Sequence, residues 1–468
     1  MYRKIGDNMN LTRDIQKNIF REYDIRGTYP NEINEDISYT IGKAYGTYLN
    51  RLNEKICLVG HDNRLSSNSI NEALTKGILS TGVNVIDLGL VTTPMLYFAR
   101  IKKGIKPGIM ITASHNPKDD NGFKLSFNEV GNAKGEEIYK FRDFVLNDTF
   151  DKGTCILYRY DIKYEYYDLF KKNLNFGNRR LKIVLDCGNG TTSIFAKELY
   201  SMFPIDLVML YDESDGNFPN HHPDPIVEEN MTDLKKKVIE CNADIGIGFD
   251  GDGDRAGFVF ETGKMMTSDE YAVIILRELL KNSDNKKALY DIKCSKKVKD
   301  EIIKLGGTPY ENRTGASYMM DAVIKNDILF GIEYSGHIYF NNDFPPITSG
   351  LFAGLKLLEI MSKTDKTLSS MLDDVNKYYS FPEYKYAFSD DNKFMVIEKV
   401  KEYCKMKNYE ISDMDGVKVY FDDGWALVRC SNTGPNVTTR FEALTEERLE
   451  SIKSEFLDIV EKCKEEMV

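Results

Sequence analysis

Short apolar runs of strand length alternate with helix-period segments along most of the chain. Residues 56–60, 108–112, 182–186, 207–211, 244–249 and 288–292 read as strands, and 71–79 and 270–280 carry apolar residues at helical spacing between them. That alternation predicts an α/β architecture. A looser repetition lies on top of it. Three times, a first strand ends in a polar loop, a helix-rich stretch follows, and a second strand delivers a loop dense in small and polar residues. The first strands end at His61-Asp62-Asn63-Arg64, Asp186-Cys187-Gly188-Asn189 and Asp291-Ile292-Lys293-Cys294. The second strands deliver Thr112-Ala113-Ser114-His115-Asn116-Pro117, Asp250-Gly251-Asp252-Gly253-Asp254-Arg255 and Gly331-Ile332-Glu333-Tyr334-Ser335-Gly336-His337. Three related α/β units with mixed sheets between helices account for this economically.

The carboxyl-terminal part changes character. It reads as a helix over 394–405, strands over 417–421 and 425–430 separated by Asp422-Asp423-Gly424, and a charged amphipathic helix over 445–465, which together predict an α+β domain. Linkers are expected near 159–164, 262–268 and 378–384. The domains are accordingly 1–160, 161–264, 265–378 and 379–468.

Composition narrows the function classes. With 468 residues, 42% of them hydrophobic, the chain has room for several domains with proper cores. A net charge of −11 argues against nucleic acid or an anionic membrane as the main partner, while a local cluster of cations or a metal leaves an anionic substrate open. No run approaches the ~20 apolar residues that span a bilayer, and the amino terminus lacks a signal-peptide core. Eight scattered cysteines without Cys-x-x-Cys or Cys/His spacing fit reduced thiols in a cytoplasmic protein; Cys187 reads as a buried strand-end residue.

Candidate chemistry concentrates at the acidic run. Three carboxylates at alternate positions repel one another unless something positive sits among them, and the glycines let the backbone fold tightly around that charge. Oxygen ligands without His or Cys favour Mg²⁺ or Ca²⁺ over Zn²⁺. Arg255 adds a phosphate-binding fork at the end of the run. An acidic surface turn is the plainer alternative. A helix-loop-helix calcium site fits Asp250, Asp252, Asp254 and Glu261 by spacing, but it fails at position six, occupied by Arg255, and both flanks read as strands.

The loop at Ser114 places a hydroxyl after a strand in a turn shaped by Asn116 and Pro117. Helix capping is its structural alternative. A serine-hydrolase nucleophile is disfavoured, since the Gly-x-Ser-x-Gly elbow is absent. The continuation to Lys124 brings an ammonium close in sequence, suited to charge stabilisation, or to proton transfer if its pKa is lowered.

Taken together, these three loops resemble those of the α-D-phosphohexomutases, most closely the phosphomannomutase/phosphoglucomutase branch. The resemblance extends to Phe20-Arg21-Glu22-Tyr23-Asp24-Ile25-Arg26-Gly27, to Phe218-Pro219-Asn220-His221-His222-Pro223-Asp224-Pro225, and to Arg429-Cys430-Ser431-Asn432-Thr433-Gly434-Pro435 followed by Arg440-Phe441-Glu442. It implies four domains around a central cleft, with Ser114 phosphorylated and Asp250, Asp252 and Asp254 binding Mg²⁺ together with its phosphoryl group. Arg26, Arg64 and Arg255 are implied around the reacting phosphate, Lys124 as acid/base, and His115 as a positioning or proton-handling group. Tyr23 belongs to the opening motif and is implied on the substrate side. Glu333, Ser335 and His337 match a sugar-selecting loop, Lys293 a substrate contact, and Arg429, Ser431, Asn432 and Thr433 a loop for the phosphate that is not reacting.

The implied activity is interconversion of hexose 1-phosphate and hexose 6-phosphate, of mannose or glucose, through a hexose 1,6-bisphosphate that also serves as activator. The partner is then a small phosphosugar; oligomeric state is left open. A phosphoglucosamine mutase of the same superfamily and a non-catalytic phosphosugar or metal binder are the rivals. Two positions depart from the branch. Ala316 stands where a His is usual, which leaves the choice between mannose and glucose open, and Gly434 replaces a Glu of some relatives. His221 and His222 are expected to fix their Pro-rich turn, and Trp425 to pack the last domain's core.

Overall fold

The computed structural model describes residues 9–129, 131–342, 344–389, 392–431 and 436–467. Its first sheet runs, edge to edge, Ile25–Thr28, Asp120–Ser126, Gly108–Ile111, Ile56–His61, Asn84–Leu90 and Leu157–Arg159. The last four strands are mutually parallel, while Asp120–Ser126 pairs antiparallel with both of its neighbours. The second sheet runs Met265–Met266, Ala256–Phe260, Ile245–Phe249, Leu181–Asp186 and Ile205–Leu210, again parallel in its middle and antiparallel at the hairpin end. In the third module Lys287–Asp291 lies between Thr308–Asn312 and Phe330–Ile332, both parallel to it.

The inferred repetition is therefore a repetition of topology. In each module the first strand is central, the next pairs on one side and the third on the other. Parallel strands need helical crossovers, which bury both sheet faces and explain the unbroken apolar runs. Each of the three chemistry-bearing loops leaves the carboxyl end of the third strand, where a parallel sheet opens towards ligands. Both flanks of the acidic run are strands, Ile245–Phe249 and Ala256–Phe260, which rules out the helix-loop-helix reading.

The carboxyl-terminal domain is an antiparallel sheet ordered Tyr379–Ala387, Asn436–Ala443, Gly424–Cys430, Val417–Phe421 and Glu410–Ser412, covered by helices Lys393–Lys407 and Glu446–Met467. Here one expectation is corrected: most of the presumed linker at 378–384 is strand. Pro382 falls where the register shifts between Phe381 and Tyr384, on an edge strand. Edge strands and bulges are the places where a sheet tolerates proline. Trp425 is buried with Ile292 and Leu427, and its Nε1 donates to Glu442.

By packing, the chain divides into two compact units. One comprises the residues up to Thr267 with Ser335–Ser370; the other comprises Ser268–Tyr334 with Met371 onward. Segment 335–370 joins the first unit because helix Gly350–Met361 is apolar nearly all round. Its Phe352 stacks with Phe344 and meets Phe170 edge-on, and Tyr200 donates to the carbonyl of Leu351. Among the described residues no helix is long and apolar enough to cross a membrane.

Local signals set the elements that carry the site. Helix Thr93–Lys103 has proline in its first turn, basic Arg100, Lys102 and Lys103 in its last, and a left-handed Gly104 as its stop. Helix Glu35–Arg51 is capped by the Asn34 side chain, which accepts from the amide of Ile37, and it carries Glu35 and Asp36 in its first turn. It packs on helix Ser67–Leu79 at glycines, because a Cβ on Gly42 would overlap the carbonyl oxygen of Leu74. Gly42→Ala should thus lower the thermal midpoint by several degrees. The ~1 kcal/mol gained in helix propensity is outweighed by an overpacking cost of about 1–3 kcal/mol; an unchanged or raised midpoint in a calorimetric scan would refute the close helix contact.

Candidate active site

The acidic run begins where strand Ile245–Phe249, buried at every position, reaches the edge of its sheet. The chain turns through Gly253, whose φ of +75° suits glycine, and returns as Ala256–Phe260. Asp250, Asp252 and Asp254 are all buried, and one ligand oxygen from each lies within 4.8 Å of the others. Burial and the two neighbouring carboxylates push the pKa of Asp250 well up.

Lys124 and His337 close on this charge from two sides. Lys124 Nζ lies 2.8 Å from Asp252 Oδ2 and 2.5 Å from Asp254 Oδ2. His337 Nε2 sits 3.3 Å from Asp254 Oδ1 and 3.3 Å from Arg255 Nε, and its Nδ1 is 3.3 Å from Ser335 Oγ. The Arg255 amide donates to Asp250 Oδ1 at 3.1 Å. Among the described residues Asp252 Oδ1 is buried with no hydrogen-bond partner, an expensive state unless a cation takes it up. An all-oxygen set of three carboxylates with such an orphan fits a hard divalent cation.

The expectation for Lys124 changes here. Burial alone disfavours its charge, but Asp252 and Asp254 outweigh burial and push the pKa up, so the ammonium stays protonated. The lowered pKa that a base would need is not present in this arrangement.

Ser114 follows strand Gly108–Ile111 in the left-handed region, with φ of +52°. That conformation costs about 1–2 kcal/mol for a residue with a Cβ. Neighbours hold it. The Ser114 amide donates to Thr112 Oγ1 at 2.8 Å and its Oγ donates to Asp250 Oδ2 at 2.9 Å. Gly251 lies flat against the serine loop, and a Cβ there would come within 2.6 Å of the Ser114 carbonyl oxygen. His115 Nδ1 is 3.4 Å from Ser114 Oγ, and burial, then Arg255 and Arg26, hold its pKa well below the usual histidine value.

The three arginines differ. Arg26 spends Nη1 on Asn116 Oδ1 at 2.7 Å and Nη2 on Asp24 Oδ2 at 2.6 Å, leaving its buried Nε without a partner among the described residues. Arg255 meets Asp250 and His337 as described. Arg64 is turned away from any ligand: all five of its N–H donors are taken by Asp62 and by main-chain carbonyls of the 114–120 loop. The implied phosphate contact of Arg64 is not available in this geometry. Tyr23 is half-buried in the bend before strand Ile25–Thr28.

In the other unit, Arg429 lies next to the end of strand Gly424–Cys430 and is gripped by Asp415, with Nε to Oδ2 at 3.0 Å and Nη2 to Oδ1 at 3.2 Å. Asp415 Oδ2 also accepts the Thr314 amide at 3.1 Å. Lys293 Nζ pairs with Glu383 at 3.1 Å, and Glu333 Oε2 accepts the amide of Gly315 at 3.0 Å. The Ser431 carbonyl accepts Lys393 Nζ at 3.2 Å, while Asn432 and Thr433 lie outside the described residues. Ala316 begins helix Ala316–Asn326. His221 is tied to Asp186 at 3.1 Å, which suits a loop-fixing role, and the thiol of buried Cys187 is pushed up in pKa by burial and Asp186.

Sequence reasoning missed Asp415, Glu383 and Lys393, and also Thr93, whose Oγ1 donates to Asp252 Oδ2 at 2.6 Å. Thr93 had a faint signal, a Thr-Thr-Pro helix start directly after a strand. The other three carry none, because their partners are distant in sequence.

Four family models match the chain in order. They are phosphoglucomutase/phosphomannomutase alpha/beta/alpha domain I over residues 17–151, domain II over 164–263, domain III over 267–378, and the C-terminal domain over 384–459. A phosphomannomutase/phosphoglucomutase of Pseudomonas syringae pv. tomato is 36% identical over 94% of both chains. A phosphoglucomutase of Neisseria gonorrhoeae is 35% identical over 97% of this chain and 98% of its own. Among solved structures, a phosphoglucomutase/phosphomannomutase family protein from Burkholderia thailandensis superposes with a TM-score of 0.89 at 31% identity, covering 96% of this chain and 98% of that one. With all four domain models matched in order along the chain, and relatives alike over nearly its whole length, the chain belongs to the phosphoglucomutase/phosphomannomutase family.

Proposed function

We propose that this enzyme is a phosphosugar mutase interconverting hexose 1-phosphate and hexose 6-phosphate, with mannose and glucose phosphates as its substrates. The observation that carries the reading is Ser114 Oγ at 2.9 Å from Asp250 Oδ2, a strained hydroxyl set directly on a cluster of three buried carboxylates. A phosphoryl group on that oxygen would meet the carboxylates only with a cation between them. Asp250, Asp252 and Asp254, with a phosphoryl oxygen on Ser114, would hold Mg²⁺, whose charge neutralises the phosphoryl group as it leaves the serine.

The chain's own groups take defined parts. The free hydroxyl of the bound sugar phosphate attacks phosphorus; its new O–P bond forms as the bond to Ser114 Oγ breaks, giving hexose 1,6-bisphosphate. Ser114 Oγ then takes the other phosphoryl group back, so that no phosphate is consumed. Arg26, through its unpartnered Nε, and Arg255 bind the transferring group. Lys124 supplies fixed positive charge, and His115, beside Ser114 Oγ, handles the hydroxyl proton. Arg429, Ser431, Asn432 and Thr433 hold the phosphate that is not reacting, while Lys293, Glu333, Ser335, His337 and Tyr23 contact the sugar phosphate. The four family modules correspond to the domains 1–160, 161–264, 265–378 and 379–468. We assign the enzyme to the cytoplasm.

Turnover of mannose 1-phosphate with Mg²⁺ and a trace of bisphosphate is expected to drop by about a thousandfold or more in Ser114→Ala, with loss of the ~80 Da adduct that phosphorylation adds to the intact mass; wild-type-like turnover would sink the phosphoserine mechanism. Calorimetric titration should give tighter Mg²⁺ binding to the phosphorylated form than to the dephosphorylated one, and equal affinities would remove the phosphoryl group from the ligand set. In a panel of mannose, glucose and glucosamine phosphates, kcat/KM should be highest for mannose and glucose, whereas a preference for glucosamine 6-phosphate would move the enzyme to the phosphoglucosamine branch.

A further inference from the structure

Arg64 is almost wholly buried, and its donors are fully spent. Nε bonds Asp62 Oδ2 at 3.2 Å; Nη1 bonds the carbonyls of Pro117 at 2.5 Å and Asp120 at 3.0 Å; Nη2 bonds those of Ser114 at 2.9 Å and Asn116 at 2.7 Å. Five donors meet five acceptors, so a substrate oxygen would have to displace one of them. The flat face of the guanidinium is covered as well, by the ring of Phe218 at 5.3 Å. Phe218 belongs to the Pro-rich motif of the second module. The residue two before it presses equally close, since a Cβ on Gly216 would come within 2.5 Å of the Asn63 carbonyl oxygen.

The anchor behind Arg64 is also built. Asp62 Oδ1 accepts both the Arg64 amide at 3.0 Å and Ser67 Oγ at 2.5 Å. Asn63 Nδ2 reaches across to the Asn189 carbonyl at 2.7 Å and to Ser214 Oγ at 3.0 Å. Arg64 thus ties the backbone of the serine loop on one side to a turn clamped by the second module on the other. One of the carbonyls it holds belongs to Ser114 itself, the residue in the left-handed conformation.

We propose that Arg64 is a positioning residue that makes no contact with substrate: it fixes the 114–120 loop against the second module, and so sets the distance between Ser114 Oγ and the acidic run. The inference rests on Ser114 as the phosphoryl carrier. Its physical basis is that reacting groups displaced by about 1 Å can lose on the order of a hundredfold in rate, whereas substrate affinity, set by other side chains, is left alone.

The test compares Arg64→Lys with the wild-type full chain, using mannose 1-phosphate, Mg²⁺ and bisphosphate. Lysine keeps the buried charge but has only three donors and no fork. A kcat lowered by about 10- to 100-fold with KM within about twofold of wild type, and faster hydrogen exchange confined to the amides of 112–120, are the expected results. A KM raised about tenfold with kcat and exchange unchanged would make Arg64 a substrate ligand and overturn the proposal. Wild-type values throughout would overturn it equally. Should Arg64→Lys not fold, Asp62→Asn loosens the same anchor more gently and is read by the same criteria. Turnover that survives in Ser114→Ala would remove the phosphoserine reading alone, because the exchange at 112–120 reports on Arg64 whatever Ser114 does.

Discussion

Three carboxylates buried within 4.8 Å of one another are the constraint around which the first unit is organised. At an effective dielectric of about 20, two like charges some 4 Å apart repel by on the order of 4 kcal/mol. No loop tolerates three such pairs without compensation. Lys124 and Arg255 supply it, His337 Nε2 lies 3.3 Å from Asp254 Oδ1, and Thr93 adds a hydroxyl. The strand pairing that presents Lys124 and the segment that carries His337 are thereby tied to the same charge. A phosphoryl group, two negative charges more, can join this arrangement only if positive charge comes with it.

Strain is distributed in keeping with that chemistry. Ser114 is held in a backbone conformation that its side chain disfavours, at a position where Gly251 makes room for its carbonyl oxygen and Thr112 satisfies its amide. The acidic loop takes its own positive φ at Gly253, where it costs little. One of the two facing loops is therefore cheap to form and the other is over-determined by its neighbours. A hydroxyl held this way approaches its partners in a single orientation, which is the property the proposed phosphoryl transfer requires.

Much of this was legible from residues alone. Apolar blocks ending in Asp186, Thr112 or Phe249 announced strands whose ends carry polar loops, since burial on both faces leaves no alternation to confuse the period. The acidic run was legible because like charges at alternate positions have few innocent explanations. Long-range pairing was not legible. Asp415 grips Arg429 from across a hairpin, and Glu383 meets Lys293 from a strand read as a linker in the sequence. Direction was hidden too: sequence identifies a guanidinium at position 64 but not which way it points, and an ammonium at 124 but not the two carboxylates that keep it charged.

The bonds of Arg64 to the serine loop run to main-chain carbonyls, at residues 114, 116, 117 and 120, with no side chain of that loop among them. Such a clamp recognises the path of a backbone and is indifferent to what hangs from it. Lys118 and Asp119, inside the clamped stretch, are consequently released from structural duty towards it. Both are exposed, and substitutions there change what the surface presents while the loop's course stays where the arginine holds it, so sequence can vary within a loop whose path is fixed.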